Sequence, residues 1–268
     1  MAPAAPEQNV DLLSASQYFF VYNAFSFTLA CMAATTLFLW FARSQVAPAY
    51  RTALTISGLV TAIAAYHYWR IFESWDSAYD VIDGTVTVTG LAFNDAYRYV
   101  DWLLTVPLLL IELVLVMKLS RSETVSKSWK LGIAAALMII LGYPGEISDT
   151  IQERAIWGAL STIPFLYIVW ELFKGLGESI ERQPVEVRKL IKDARLVTFA
   201  SWGFYPIVYM APFVGAGGGS VETALQVGYT IADIIAKCGV GILIYVIAAR
   251  KSEFEPGWGA KAGTAPAT

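Results

Sequence analysis

Lys237 and Asp233 stand four residues apart in the otherwise apolar run Asp233-Ile234-Ile235-Ala236-Lys237, so they share one face of any helix formed there. A second apolar run carries Asp101 and Glu112, with Arg98 and Thr105 beside them. At about 100° per residue, Arg98, Thr105 and Glu112 all fall within roughly 60° of Asp101, which makes one polar stripe on one helix. A rise of about 1.5 Å per residue separates the carboxyl groups of Asp101 and Glu112 by roughly 16 Å along the axis, half the hydrocarbon thickness of a bilayer. The depth of Lys237 falls between them. A desolvated lysine amine is suited to forming a Schiff base with a carbonyl compound. The protonated imine would then need a carboxylate counter-ion, which Asp101 and Asp233 can supply. The plainer reading is a structural Lys237–Asp233 ion pair with Glu112 as a neutral buried acid. Each ionisable group inside a membrane costs roughly 2.5–3.5 kcal/mol on insertion scales, so four of them without a function would be a heavy burden.

The composition places these residues in a membrane. Of 268 residues, 56% are hydrophobic, 14% aromatic and only 15% charged, and the mean hydropathy is +0.53. A soluble domain carries about 25% charge. Disorder and coiled coil are excluded, and the net charge of -3 excludes a basic nucleic-acid binder. Cys31 and Cys238 lie in apolar runs and read as small buried residues rather than a disulfide or metal site. With a single histidine in the chain, no His-rich metal site is expected.

Seven apolar runs are long enough to span, at about 16–42, 51–75, 96–117, 129–147, 154–175, 193–214 and 222–249. The fold expected is therefore an all-α bundle of seven transmembrane helices, with 1–253 as one domain and a disordered tail over 254–268. No cleaved signal peptide is evident, because the first residues lack a basic region. With the N-terminus outside, every lysine and arginine except Arg70, Arg98, Arg154 and Lys237 falls on the cytoplasmic side. The outer segments are acidic, with Asp76, Asp80, Asp83, Asp95, Glu146, Asp149 and Glu153. Between helices two and three, Asp83-Gly84 sits between β-branched residues and predicts a small outer hairpin with a type I′ turn. The glycine run 215–219 reads as a flexible outer loop, since it lacks the strand and helix flanks of a phosphate-binding loop.

Three stretches together resemble the microbial rhodopsins, and most of all the proteorhodopsin and xanthorhodopsin group of bacterial light-driven proton pumps. They are Arg98-Tyr99-Val100-Asp101-Trp102-Leu103-Leu104-Thr105-Val106-Pro107 continuing to Glu112, Trp202-Gly203-Phe204-Tyr205-Pro206, and Asp233 to Lys237. The resemblance implies all-trans retinal bound covalently to Lys237, with Asp101 as proton acceptor and primary counter-ion, Asp233 as second counter-ion and Glu112 as cytoplasmic proton donor. Thr105 would hydrogen-bond near Asp101. The triplet Asp101, Thr105 and Glu112 is the outward proton-pump pattern, and it implies transport rather than an enzyme's turnover. A sodium pump of the family carries Asn, Asp and Gln there. The alternative is a sensory rhodopsin that signals through a partner, although such relatives commonly lose the donor carboxylate.

The same resemblance assigns the surroundings. His67, the sole histidine, is either a hydrogen-bonded polar residue or the partner of Asp101, titrating with it as a pair. Arg98 would hold an outer water cluster, and Tyr68 and Tyr205 would bond the second counter-ion. Trp102, Trp202, Tyr205 and Tyr209 would sandwich the polyene, with Val106, Leu109, Pro206 and Ala236 also in the pocket and Trp157, Ser161 and Thr162 near the ring. Leu109 accompanies green rather than blue absorption. Pro107 and Pro206 read as tolerated mid-span kinks. Gly158 has two readings: a small-xxx-small packing pair with Thr162, or a side window onto the retinal ring that admits a carotenoid antenna. The archaeal outer glutamate pair has no match, since Glu222 is out of register, which leaves late release or release from Asp101 directly. A bacterial inner-membrane location, lipid contact and a pentameric or hexameric homo-oligomer are implied as well, with no nucleic-acid partner.

Overall fold

Residues 13–148, 150–214 and 218–258 are described by the structure, a computed structural model. Helix one, Ala15–Ala42, opens on a capping box in which the Ser14 hydroxyl accepts from the Gln17 backbone and the Gln17 side chain accepts from the Ser14 N–H. Helix two is Arg51–Ala78 and helix three Ala96–Val116. Helix four, Arg121–Glu146, opens on a second capping box made by Ser120 and Glu123. Helix five is Ile151–Glu181, with a π-helical turn at Glu171–Gly175. Helix six comprises Val185–Trp202 and Phe204–Tyr209. Helix seven, Gly219–Ser252, holds a π-helical turn at Ile234–Gly239. Sequential helices pack side by side, and helix seven closes the ring against helix one. The chain is a multi-pass membrane protein.

Taken singly, five helices are long and apolar enough to cross a membrane: one, three, four, five and seven. Helix two misses because its outer third is polar, Tyr66-His67-Tyr68-Trp69-Arg70. Helix six misses because its first three turns are charged, and for the same reason its start is at Val185 rather than the expected 193. Those charges are rim contacts, with Lys189 bonded to Asp193 and Lys192 to Glu181. A hydropathy window stops where the apolar core of a bilayer stops, whereas the helix continues into the headgroup layer.

The mid-span prolines behave differently. Pro107 lies inside an unbroken helix three. Pro206 does not merely kink helix six: the helix is interrupted at Gly203, because the ring lacks a donor and crowds the carbonyl of the residue four back, Trp202. The outer hairpin forms as expected from β1 (Tyr79–Ile82) and β2 (Thr85–Val88), paired antiparallel from Tyr79 opposite Val88 to Ile82 opposite Thr85. Asp83 and Gly84 both have positive φ, 50° and 78°, as a type I′ turn requires.

Two expectations need adjusting. Residues 254–258, expected to be disordered, form turns anchored to the bundle. Glu255 bonds Lys118 at 2.7 Å and accepts from Tyr50 at 2.5 Å, and Arg51 lies over the ring of Trp258. The hydrogen bond from Lys118 holds the Glu255 carboxyl below the usual carboxylate range. The rest of the tail, 259–268, and Gly215–Gly217 of the glycine loop lie outside the described residues, while Gly219 already belongs to helix seven.

Candidate functional site

The π-helical turn of helix seven carries Lys237 and follows directly on Asp233. Such single-turn bulges alter the angular register of the residues on either side and recur at functional sites. The Lys237 Nζ is 2.6 Å from Asp233 Oδ1 and 2.9 Å from Asp101 Oδ2, and none of the three side chains is more than 3% exposed. A buried ion set is tolerable only when its remaining lone pairs are satisfied. For Asp233 they are: Tyr205 donates to Oδ1 at 2.6 Å and Tyr68 to Oδ2 at 2.8 Å. Asp101 is different, since its Oδ1 is buried without a hydrogen-bond partner.

Thr105 donates to the backbone carbonyl of Asp101 at 2.8 Å, which places it near the acceptor without engaging the carboxylate. His67 is buried one residue from Tyr68, and its Nδ1 also lacks a partner. The expected His67–Asp101 pair is therefore not closed through these two atoms. Each keeps open hydrogen-bonding capacity.

A cavity extends from Lys237, Asp233 and Ala236 on helix seven across to helix five. Trp102, Val106, Leu109, Trp202, Tyr205, Pro206, Tyr209, Gly158, Ser161 and Thr162 line it. The rings of Trp102 and Tyr205 meet edge-on at 4.8 Å, and Tyr205 stacks on Tyr229 at 6.0 Å. An apolar, aromatic slot ending at one buried amine fits a long polyene aldehyde. Trp157 is not among the lining residues. It points about 100° away from Gly158 on the helix, with its Cβ beside the Gly145 backbone on helix four.

Tyr229, Tyr99, Met138, Ile139, Gly142, Phe165 and the acidic Glu146 also line the cavity. Tyr229 was legible in principle, since it precedes Asp233 by one helical turn. The helix-four residues carry no signal in their types. At Gly158 the space a side chain would take is filled: a Cβ there would lie 2.7 Å from Cε1 of Tyr209. The Tyr209 hydroxyl donates to the Arg154 carbonyl at 2.6 Å, which pins the ring in that notch. The neighbouring lining residue Thr162 is exposed, so the cavity reaches the lipid-facing surface here.

Outside the triad, Arg98 is 1% exposed and bonds Asp95 at 2.6 Å and the Gln226 side chain, with its guanidinium 4.7 Å over the Tyr229 ring. Gln226 in turn donates to Glu222 at 2.8 Å. Glu222, set aside on register, is thus wired to Arg98, because helix seven presents positions 222, 226 and 229 on one side. On the other side Glu112 is wholly buried beside Ser57, whose hydroxyl is engaged with the Ala53 carbonyl at 3.2 Å. Both carboxyl oxygens of Glu112 lack a hydrogen bond. Among the described residues no cluster of histidine, cysteine and acidic side chains could hold a metal, and both cysteines are free.

A heptahelical ring with a buried lysine set between two aspartates at the end of an aromatic slot defines a retinylidene-type membrane protein. Residues 20–251 match the family model of bacteriorhodopsin-like proteins, and the chain belongs to that family. It is a microbial rhodopsin of the proteorhodopsin and xanthorhodopsin type. The green-light absorbing proteorhodopsin of Gamma-proteobacterium EBAC31A08 is 31% identical over 236 residues, covering 86% of this chain and 88% of that protein. The crystal structure of xanthorhodopsin, described as a light-driven ion pump with dual chromophore, superposes with a TM-score of 0.87 at 53% identity, over 90% of this chain and 97% of that one. That of a thermophilic rhodopsin does so with a TM-score of 0.88 at 48% identity, over 91% and 98%. Membership of the family implies a retinal chromophore.

Proposed function

We propose that the protein is a light-driven outward proton pump of a bacterial inner membrane, with retinal held on Lys237. The observation that carries the reading is the unequal treatment of the two aspartates around one buried amine. Retinal, when bound as a protonated imine on Nζ, supplies visible absorption and photoisomerisation; everything else falls to the chain's own residues. Asp233 accepts from Tyr68, Tyr205 and Lys237, so it serves as a fixed anion. Asp101 contacts the amine with one oxygen and keeps the other open. A carboxylate with fewer donors is the better base, and it already lies within proton-transfer distance. Asp101 is the acceptor.

Glu112 faces the opposite compartment without countercharge or bond, where an anion would carry an uncompensated desolvation cost. It is suited to hold a proton and deliver it inward to the amine. Arg98, Asp95, Gln226 and Glu222 form the polar route from Asp101 to the outer surface. Moving one charge against about 150 mV costs roughly 3.5 kcal/mol. Exchanging charged hydrogen bonds worth about 1.5–3 kcal/mol each around Nζ is enough to meet it.

The notch at Gly158 and the cavity's exposure at Thr162 support a second, lipid-side chromophore of carotenoid type against the ring end, once Tyr209 yields. Homo-oligomer formation rests on the family resemblance alone. A photosensor would use the same pigment, but the retained Glu112 favours transport. The deciding measurement is illumination of unbuffered cells expressing the protein with retinal. Light-driven acidification of the medium, abolished by a protonophore and by Asp101→Asn, is expected. No pH change in the wild type, or undiminished acidification by Asp101→Asn, overturns the reading.

A further inference from the structure

Lys251, two turns from the end of the described chain, is 5% exposed, and no carboxylate lies within ion-pair distance of it among the described residues. Its ammonium is saturated instead by three oxygens from two other segments. It donates to the carbonyls of Val116 at 3.0 Å and Met117 at 2.8 Å, and to Gln183 Oε1 at 2.6 Å. The first two are carbonyls left unpaired at the end of helix three, where the helix dipole favours a cation. The third belongs to the turn between helices five and six, where Gln183 is itself buried and tied to the Ser179 carbonyl at 3.1 Å. The Tyr50 ring lies 5.2 Å from the same ammonium, with Glu255 bonded beyond it.

Val116 is one helical turn beyond Glu112 toward the cytoplasm, about 6 Å along the axis. Along the chain from Glu112 to the Lys251 contacts come Leu113, Val116 and Met117, with Ile247 one turn before Lys251 on helix seven, each no more than 2% exposed. A proton bound for Glu112 from that side has to cross this layer, and water has to enter it first. A leucine at 251 would fill the space without placing a charge in it. The ammonium therefore does something packing does not: it fastens helix three and helix seven to the start of helix six with bonds that can open and re-form.

We propose that Lys251 is a positioning residue for proton uptake, a latch whose bond to Gln183 keeps water from Glu112 and whose opening admits it. This inference rests on Glu112 being the donor. Gln183→Ala removes the outer arm of the latch, while Gln183→Glu keeps the shape and strengthens the bond with a charge. The test is hydrogen–deuterium exchange of the Glu112 carboxyl in the dark, followed by infrared absorption of the retinal-loaded protein. The band is assigned by its loss in Glu112→Gln, and cytoplasmic proton uptake after a flash is followed in parallel with a pH dye. Exchange and uptake at least tenfold faster in Gln183→Ala, and slower in Gln183→Glu, are expected at an unchanged absorption maximum. Lys251→Met should behave as Gln183→Ala does; should it fail to fold, the two Gln183 variants decide alone. Wild-type exchange and uptake in both Gln183 variants overturn the latch and leave Lys251 as a helix cap. If Glu112→Gln leaves uptake unaltered while Gln183→Ala still speeds exchange of the carboxyl, the donor assignment fails and takes the role in proton uptake with it, and the latch stands only as a barrier to water at Glu112.

Discussion

Lys237→Ala removes the cation from a site that keeps two buried carboxylates, and the structure says how the penalty divides between them. Breaking a buried pair by deleting one partner costs about 3–5 kcal/mol, because a charge is left uncompensated. Asp233 keeps two hydroxyl donors, at 2.6 and 2.8 Å from Tyr205 and Tyr68. Asp101 keeps none, since Lys237 is its one side-chain partner among the described residues. Most of the loss therefore falls on Asp101, and a second substitution there should recover more than the same substitution at 233. We expect Lys237→Ala to destabilise the retinal-free protein by about 3–5 kcal/mol. Adding Asp101→Asn should return part of that loss, because the neutral amide leaves no uncompensated charge there. Adding Asp233→Asn should return less, because the amide cannot satisfy both tyrosines as the carboxylate does. Denaturant unfolding of the four proteins in the same detergent gives the double-mutant comparison. Visible absorption after adding retinal gives an independent reading, and no band should form in any Lys237→Ala chain. Normal colour in Lys237→Ala, or a larger recovery from Asp233→Asn than from Asp101→Asn, would refute the division of roles.

Two further outcomes are expected. Glu112→Gln should slow proton delivery from the cytoplasmic side by tenfold or more, with azide restoring the rate as a diffusible proton carrier; flash kinetics with and without azide check this, and an unaltered photocycle would remove the donor. Gly158→Trp should abolish energy transfer from an added carotenoid and weaken the Tyr209–Arg154 bond, because even a Cβ at 158 would lie 2.7 Å from the Tyr209 ring. An excitation spectrum showing carotenoid-sensitised activity in that variant would sink the window.

That Lys237, Asp233 and Asp101 would come together was legible because charge inside an apolar run is rare enough to be read without a partner. Lys237, Asp233, Asp101 and Glu112 announced themselves by type and helical spacing, and the hairpin by Asp83-Gly84. The misplaced or missed residues share a different character. Trp157 carries an aromatic ring like the true lining residues and differs from them only in which way helix five is turned. Met138, Ile139 and Gly142 belong to the slot through the rotation of helix four alone. Glu222 looked idle in the chain and is joined to Arg98 only through Gln226.

What the amino-acid order determined by itself is local: seven helical runs, five of them apolar enough singly to cross a membrane, an i,i+4 pair on one of them, a carboxylate stripe on another, and a turn that needs positive φ. These follow from backbone geometry and from the cost of burying charge, and both are set within a few residues. Tertiary structure decided which carboxylate is saturated and which is open, whether Gly158 is a gap or a socket for Tyr209, and where the ammonium of Lys251 finds its oxygens. Each of those depends on the rotation and breaks of helices far apart in the chain, such as the interruption at Gly203 and the π-helical turn at Lys237. A contact of 3 Å between two helices is lost when either turns by one residue, and no single helix's sequence records that angle.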